Sequence, residues 1–258
     1  MWVVAGLGAL AAAALAYGWF EAGWLRTRVR DVRVQGLPAE LDGLRIAHLS
    51  DFHLGPPSRG QRAVAAAVAW TRERRPDLVC ITGDLLSHPR ARARLSELLR
   101  GLDAYVVLGN HDIAVTRDPF SRAAVLDALP ATLLVGESQT LELRGVRVQV
   151  SGTAPAYDTS IPEADPAAAL RILLTHYPRI RVSGYHIVLA GHMHAGQIVL
   201  PYPGGKIRLA HLHARLTEGI YRDGGVTLHV SPGLGTTFVP FRFFARPEVT
   251  ELVLQSVP

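Results

Sequence analysis

The chain has 258 residues, of which 48% are hydrophobic, and carries 27 Lys and Arg against 22 Asp and Glu, a formal charge of +5. That much apolar residue supplies the core of one large domain or two small ones and excludes a disordered or low-complexity chain. One cysteine, Cys80, excludes an intrachain disulfide framework, and the basic balance fits an anionic partner (a phosphorylated substrate, a nucleic acid or an acidic lipid surface) as well as it fits a simply Arg-rich composition.

Residues 2–20, WVVAGLGALAAAALAYGWF, hold no charged side chain. As a helix rising ~1.5 Å per residue they span about 28 Å, close to the hydrocarbon thickness of a bilayer. Trp2, Tyr17, Trp19 and Trp24 stand near the two ends, where amphipathic rings prefer the interface, and Arg26, Arg28, Arg30 and Arg33 follow. The segment reads as an uncleaved, single-pass anchor in the inner (cytoplasmic) membrane, with the basic flank holding the rest of the chain on the cytoplasmic side. A cleaved secretory signal is the competing reading. The small residues of AAAALAY suit it, but no Lys or Arg precedes the apolar run.

Residues 21–30 then read as a short link, and Arg30–Val34 alternates like an edge strand. LRIAHLSDFH, from Leu44, is an apolar strand ending at Asp51 and His53. RGQRAVAAAVAWTRERR is helical and stops before Pro76. DLVCITGD is a second strand ending at Asp84, with Cys80 inside it as a buried small hydrophobe. A helix over roughly Pro89 to Arg100 stops at Gly101. AYVVLGNHD is a third strand. A helix around Ser121 to Leu129 leads to LELRGVRVQVSG, which reads as a hairpin. RILLTHYP and YHIVLAGHMH supply two more apolar strands, and GVTLHVS and EVTELVL further ones. Strands alternating with helices imply a layered α/β domain whose sheet is buried on both faces.

Five of these strands run out at polar residues: Asp51 and His53, Asp84, Asn110 and His111, His176, then His192 and His194. In open α/β sheets the crevice beyond the carboxyl ends of the strands is where ligands bind. Oxygen and imidazole donors without a thiolate suit Mn, Fe or Zn better than Mg or Ca. They are too many for one tetrahedral ion, whereas two ions sharing a bridging carboxylate use them economically.

Asp51-Phe52-His53, Gly83-Asp84, Gly109-Asn110-His111-Asp112, His176 and Gly191-His192-Met193-His194 resemble, block by block and in order, the signature of the calcineurin-like metallophosphoesterase superfamily. The resemblance covers residues 46–194. LDGLRIAHLSDFHLG, GQIVLPY and VSPGLGTTFVPFRFFARPEVTELVL, with the apolar N-terminal segment, look most like the membrane-associated bacterial branch. Ala195 departs from the pattern, since many relatives carry a second glycine there. The resemblance implies a layered α-β-β-α sandwich behind an N-terminal transmembrane helix. Residues 1–24 are then the anchor, residues 25–43 the juxtamembrane link and first strand, and residues 44–258 the metallophosphoesterase domain. It also implies that Asp51, His53 and His194 hold one divalent ion, that Asn110, His176 and His192 hold another, and that Asp84 bridges them. A water or hydroxide between the ions is then the nucleophile, with Mn favoured over Fe or Zn. His111 is placed near the leaving group or a phosphate oxygen, and Asp112 orients it.

Asp112 reads equally well as a helix cap. His48, His88, His186, His211, His213 and His229 lie outside the blocks and read as structural. FVPFRFFARPE, residues 238–248, reads as core; the alternative is a bilayer-facing patch in which Arg242 and Arg246 snorkel or meet lipid phosphates.

The expected activity is a metal-dependent hydrolysis of a phosphoester or pyrophosphate bond, on a membrane-associated or lipid-linked substrate. Some anchored members of the family cleave a UDP-diacylglucosamine-type pyrophosphate. A nucleotide or nucleic-acid phosphodiesterase of the same fold is one alternative, but no basic groove interleaved with aromatics is legible. A non-catalytic phosphoesterase-like scaffold is the other, and the intact ligand set with His111 argues against it.

Overall fold

The computed structural model describes residues 2–116, 129–154 and 160–257, so most of the helix expected around Ser121 to Leu129 lies outside the described residues. Two six-stranded sheets form the centre. The first has the order β1 (Arg26–Gln35), β14 (Glu248–Val257), β2 (Arg45–Leu49), β3 (Leu78–Thr82), β4 (Ala104–Val107), β5 (Thr132–Leu133). The second has the order β12 (Gly219–Asp223), β13 (Val226–Val230), β9 (Ile187–Ala190), β8 (Leu170–Leu174), β7 (Val146–Gly152), β6 (Ser138–Leu143). β2, β3 and β4 are parallel neighbours, as are β13, β9, β8 and β7, so within each set the carboxyl ends share one edge.

The period of two along each strand sorts side chains into layers. In β3, Leu78 and Cys80 point between the sheets, while Val79 and Ile81 pack outward with α2 (Gly60–Arg74) and α3 (Arg92–Leu99). In β8 and β9, Ile172 and Leu189 face the inter-sheet core, whereas Leu173 and Val188 face the outer side with Tyr185 and Met193. Burial pushes the Cys80 thiol up to about 12, so it is an inert hydrophobe. The hairpin read in LELRGVRVQVSG is β6–β7. It turns at Arg144 and Gly145, with φ of 53° and 77°, as a two-residue turn of matching twist requires.

Three features were not legible in the sequence pattern. A short helix, α4 (Asn110–Thr116), begins inside the motif that closes β4. β10 (Val199–Tyr202) and β11 (Gly205–Arg208) form a separate hairpin, and β12 flanks β13.

The apolar segment is α1 (Trp2–Glu21), exposed from Trp2 to Tyr17. Its end is clamped. Gly18 lies so close to the Phe243 ring that a Cβ there would overlap it, and the Gly18 carbonyl accepts the Arg242 N–H at 3.0 Å. The buried Glu21 carboxylate accepts N–H groups from Phe244 and Ala245 at 2.9 and 2.7 Å. The stretch expected as a link is therefore not free chain. Arg26 already pairs with Glu248, and β1 stays paired with β14 through Gln35.

Candidate metal centre

Asp51, His53, Asp84, Asn110, His176, His192 and His194 each stand two to four residues beyond a parallel strand, on the same edge of the sandwich, Asn110 at the start of α4 and His194 in a short 3-10 turn. The backbone there is left-handed: φ is 54° at Asp51, 44° at His53, 53° at Asp84, 71° at His192 and 47° at His194. Asp and His tolerate this region better than most residues, yet each such position costs on the order of 1 kcal/mol. The loops keep it because the surroundings leave no alternative. A Cβ on Gly109 would strike the Asp84 carboxylate, and one on Gly191 would strike Ser50 and Asp51. Ala195 also sits at a φ of 53°, where glycine would be less strained; its methyl packs with Val199 and Ala245, an offsetting gain.

The side chains converge. His53 Nε2 lies 3.0 Å from His194 Nε2 and 3.3 Å from Asp84 Oδ2. His194 Nε2 is 3.4 Å from Asp51 Oδ1. His176 Nε2 is 3.4 Å from Asp84 Oδ2 and 3.2 Å from His192 Nδ1. Donors about 2.1 Å from a common ion stand about 3.0–3.5 Å apart, so these separations suit coordination. Asp51, His53 and His194 form one such group and Asp84, His176 and His192 another.

The bonding around the cluster shows what it is suited to hold. His176 Nδ1 is 2.7 Å from the Thr82 carbonyl, which can only accept, so the proton of a neutral His176 is on Nδ1. Its Nε2 lone pair then faces the Asp84 carboxylate, a repulsive contact unless a proton or a cation lies between. Burial disfavours the charge on His176, but the Asp84 charge and hydrogen bond outweigh it and raise the imidazole to about 9. Burial likewise works against an ionised Asp84, yet His176, His53 and His111 hold it below the ordinary carboxylate range. Burial raises Asp51 to about 6 and lowers His53 to about 3 and His192 to about 4. A divalent cation reverses the pressure on Asp51 and favours bare imidazole. The amide oxygen of Asn110 is buried with no hydrogen-bond partner. Such an orphan costs about 1–3 kcal/mol unless something fills it. Three imidazoles kept neutral by burial, a fourth (His176) whose proton a cation can replace, two carboxylates and the Asn110 amide oxygen fit two divalent ions.

A family model described as calcineurin-like phosphoesterase matches residues 44–196. The chain belongs to the calcineurin-like phosphoesterase family. It is 29% identical to the Bacillus subtilis metallophosphoesterase YkuE, over 96% of this chain and 94% of that one. It is 30% identical to YkoQ of the same organism, over 83% and 84%. To the Escherichia coli phosphodiesterase YaeI it is 26% identical, over 92% and 89%. As a member of this family the chain is a metal-dependent phosphoric ester hydrolase.

In this calcineurin-like site the Asp112 carboxylate, read from sequence either as orienting His111 or as a cap, bonds backbone. Its Oδ1 accepts the N–H groups of Leu85 and Leu86 at 2.9 and 3.0 Å, and its Oδ2 accepts that of Gly109 at 2.9 Å. It ties the Asp84 loop to the Asn110 loop, acting on ligand placement. His111 contacts the site directly. Its ring lies 4.7 Å from that of His53, and its Nε2 is 3.4 Å from Thr237 Oγ1. Both line a cavity of about 380 Å³ together with Asp84, Asn110 and His192.

Several neighbours went unrecognised. His211, read as structural, lines the same cavity, its ring 5.6 Å from that of His192. Gln197 is buried, and its amide bonds Thr237 and Val239 at 2.8–3.0 Å, fixing the loop that faces His111. Arg242 lies in the stretch read as core, with snorkelling or lipid contact as the alternative, and it is fully buried. It donates to the carbonyls of Gly235, Pro232 and Ala245 at 2.7–3.0 Å, and its Nη2 is 3.2 Å from His194 Nδ1. Gln197, Thr237 and Arg242 lie within segments that resemble the family, but their periodicity carries no signal of a site.

Proposed function

We propose that the chain hydrolyses a phosphodiester or pyrophosphate bond in a membrane-associated, lipid-linked substrate. In this reading Asp51, His53 and His194 hold one divalent ion and Asn110, His176 and His192 the other, with Asp84 shared. Such a pair supplies charge neutralisation on the phosphoryl oxygens and an activated water, with Mn favoured. His111 faces the cavity from the first turn of α4, placed to donate to a phosphate or leaving-group oxygen. Thr237 steadies its Nε2, while Asp112 and the Thr82 carbonyl keep the loops and the His176 tautomer in register.

The observation that favours a lipid-linked substrate is where α1 enters. Arg26, which begins β1 five residues after α1 ends, pairs with Glu248, and Thr250 pairs with His48 near the carboxyl end of β2. The apolar helix thus joins the sandwich at the edge that carries the metal loops. With α1 in a bilayer, the metal loops lie on the membrane side of the sandwich. A UDP-diacylglucosamine-type pyrophosphate is one substrate of that class, and the relative named a phosphodiesterase favours a diester. The test is a screen of membrane lipid extracts with the detergent-solubilised full chain and Mn(II), reading released phosphate, nucleotide or sugar phosphate by mass. Release that stops on chelation supports the reading. Hydrolysis of soluble nucleotide diesters alone, with no lipid consumed, contradicts it.

A further inference from the structure

The chain exposes large apolar side chains outside the core, on the hairpin beside the metal-site cavity and, at Leu209 and Phe238, on the wall of that cavity. The β10–β11 hairpin displays Leu200, Tyr202 and Ile207, and the loop after it displays Leu209 and Leu212, each between 45% and 64% exposed. Phe238, across the cavity mouth, is 96% exposed. Single exposed hydrophobes are ordinary, but several on one hairpin and the adjoining cavity wall need an explanation. Phe238 and Phe244 are also held at φ of 58° and 50°, a region that bulky L residues avoid. Strain that delivers two aromatic rings to solvent points to a use for their exposure.

The patch continues onto α1. The Phe243 carbonyl accepts the Val199 N–H at 2.9 Å where β10 begins, and Phe243 packs on Gly18. Trp19 meets Phe241 with ring centroids 6.3 Å apart, and Tyr17 meets Phe244 at 5.9 Å. Because Glu21, Gly18 and Phe243 clamp the helix, its exit direction is fixed relative to the hairpin. Two cations ring that exit: Arg246 lies 3.8 Å over the Trp24 ring and Arg59 5.5 Å from the Phe20 ring. Aromatic rings with arginines at a helix end mark headgroup depth.

We infer that the β10–β11 hairpin, the loop through Leu212 and Phe238 form a second membrane contact, lying in the interface of the bilayer that α1 enters and seating the cavity mouth on the lipid surface. The inference rests on the reading of α1 as a membrane helix and deepens it: the substrate's headgroup enters the cavity while its chains stay in lipid.

The test uses the full chain reconstituted in phosphatidylcholine–phosphatidylglycerol vesicles. Cys80 is buried and protonated, so an introduced cysteine is the reactive thiol. An environment-sensitive fluorophore is attached to Tyr202→Cys, Leu212→Cys or Gln35→Cys. Gln35 ends β1, about 30 Å along the strand from the helix exit. Spin-labelled lipid should quench the first two probes severalfold more than the third; equal quenching at all three overturns the inference. A second arm uses Tyr202→Glu with Ile207→Glu, neither of which lines the cavity. Turnover of a vesicle-borne lipid phosphodiester should fall about tenfold, equivalent to about 1.4 kcal/mol of lost docking, while that of a soluble aryl phosphodiester stays unchanged. Unchanged lipid turnover counts against the inference. If no lipid phosphodiester is cleaved by either form, the lipid-substrate reading fails, and the quenching still decides the docking.

Discussion

Strand β2 and the loop after it contribute to two buried histidine pairs. His48, inside the strand, meets His229 of β13 between the sheets, Nδ1 to Nδ1 at 2.7 Å. His53, beyond the strand, meets His194 at 3.0 Å. The first pair is complete as it stands. Thr82 donates its hydroxyl hydrogen to Ser50 at 2.8 Å, so its oxygen accepts from His48 Nε2 at 2.9 Å, and His48 Nδ1 accepts from His229. Both rings are neutral, with burial lowering His229 to about 3 and His48 well below its ordinary value. The second pair stands beside Asp84 and Asp51 at 3.3–3.4 Å, in a cluster whose neighbour Asn110 has an unfilled amide oxygen. Ring proximity and burial are common to both. Excess negative charge and unused lone pairs belong to the second alone, and those are what a cation answers.

The contrast is broken most severely at Asp84. Asp84→Asn should lower hydrolysis of a soluble aryl phosphodiester by about a thousandfold or more, because one carboxylate serves both ions. His111→Ala should lower turnover by about a hundredfold or more while leaving bound metal unchanged, a separation that elemental analysis of the same sample checks. His229→Phe tests the other pair. It leaves His48 Nδ1 without a donor and should cost about 1–3 kcal/mol in denaturant unfolding, with the metal content intact.

The pH dependence of the metal-free protein sharpens the distinction. His176 is raised from 6.5 to about 9, so the stabilisation from its proton is fully present below pH 6.5 and lost as pH climbs through 9. The depressed histidines act on the other side, withdrawing stability below pH 6.5, where the unfolded chain takes up protons that the folded one refuses. Melting temperature without metal should therefore fall between pH 7 and 9, and loading with Mn(II) should remove that fall, since the ion displaces the proton. The smallest change expected is at Ala195→Gly. Relief of the left-handed backbone and loss of a packed methyl nearly cancel, leaving a shift within about 1 kcal/mol by thermal unfolding.

Much of this was legible because strands have a period of two and end where the pattern stops. β2, β3, β4, β8 and β9 were each readable as apolar runs, and their polar exits named the residues that the fold then gathers. The identity of Asp112's partners was not, because three backbone N–H groups from two loops leave no trace in sequence. The position of His211 left no trace for a related reason: a histidine alternating with apolar residues looks the same on a strand and at a cavity mouth. The β10–β11 hairpin, rich in proline and glycine, carries too little periodicity to be seen, although its exposed side chains are what a membrane contact requires.

The central claim is that the gathered side chains hold two cations through one shared carboxylate. Metal content per chain, measured by mass spectrometry on protein purified without chelator and re-equilibrated with Mn(II), tests it directly. The account expects two equivalents for the native chain, one for Asn110→Ala with His192→Ala, and one or fewer for Asp84→Asn. A native chain that binds none, or an Asp84→Asn chain that retains two, contradicts it.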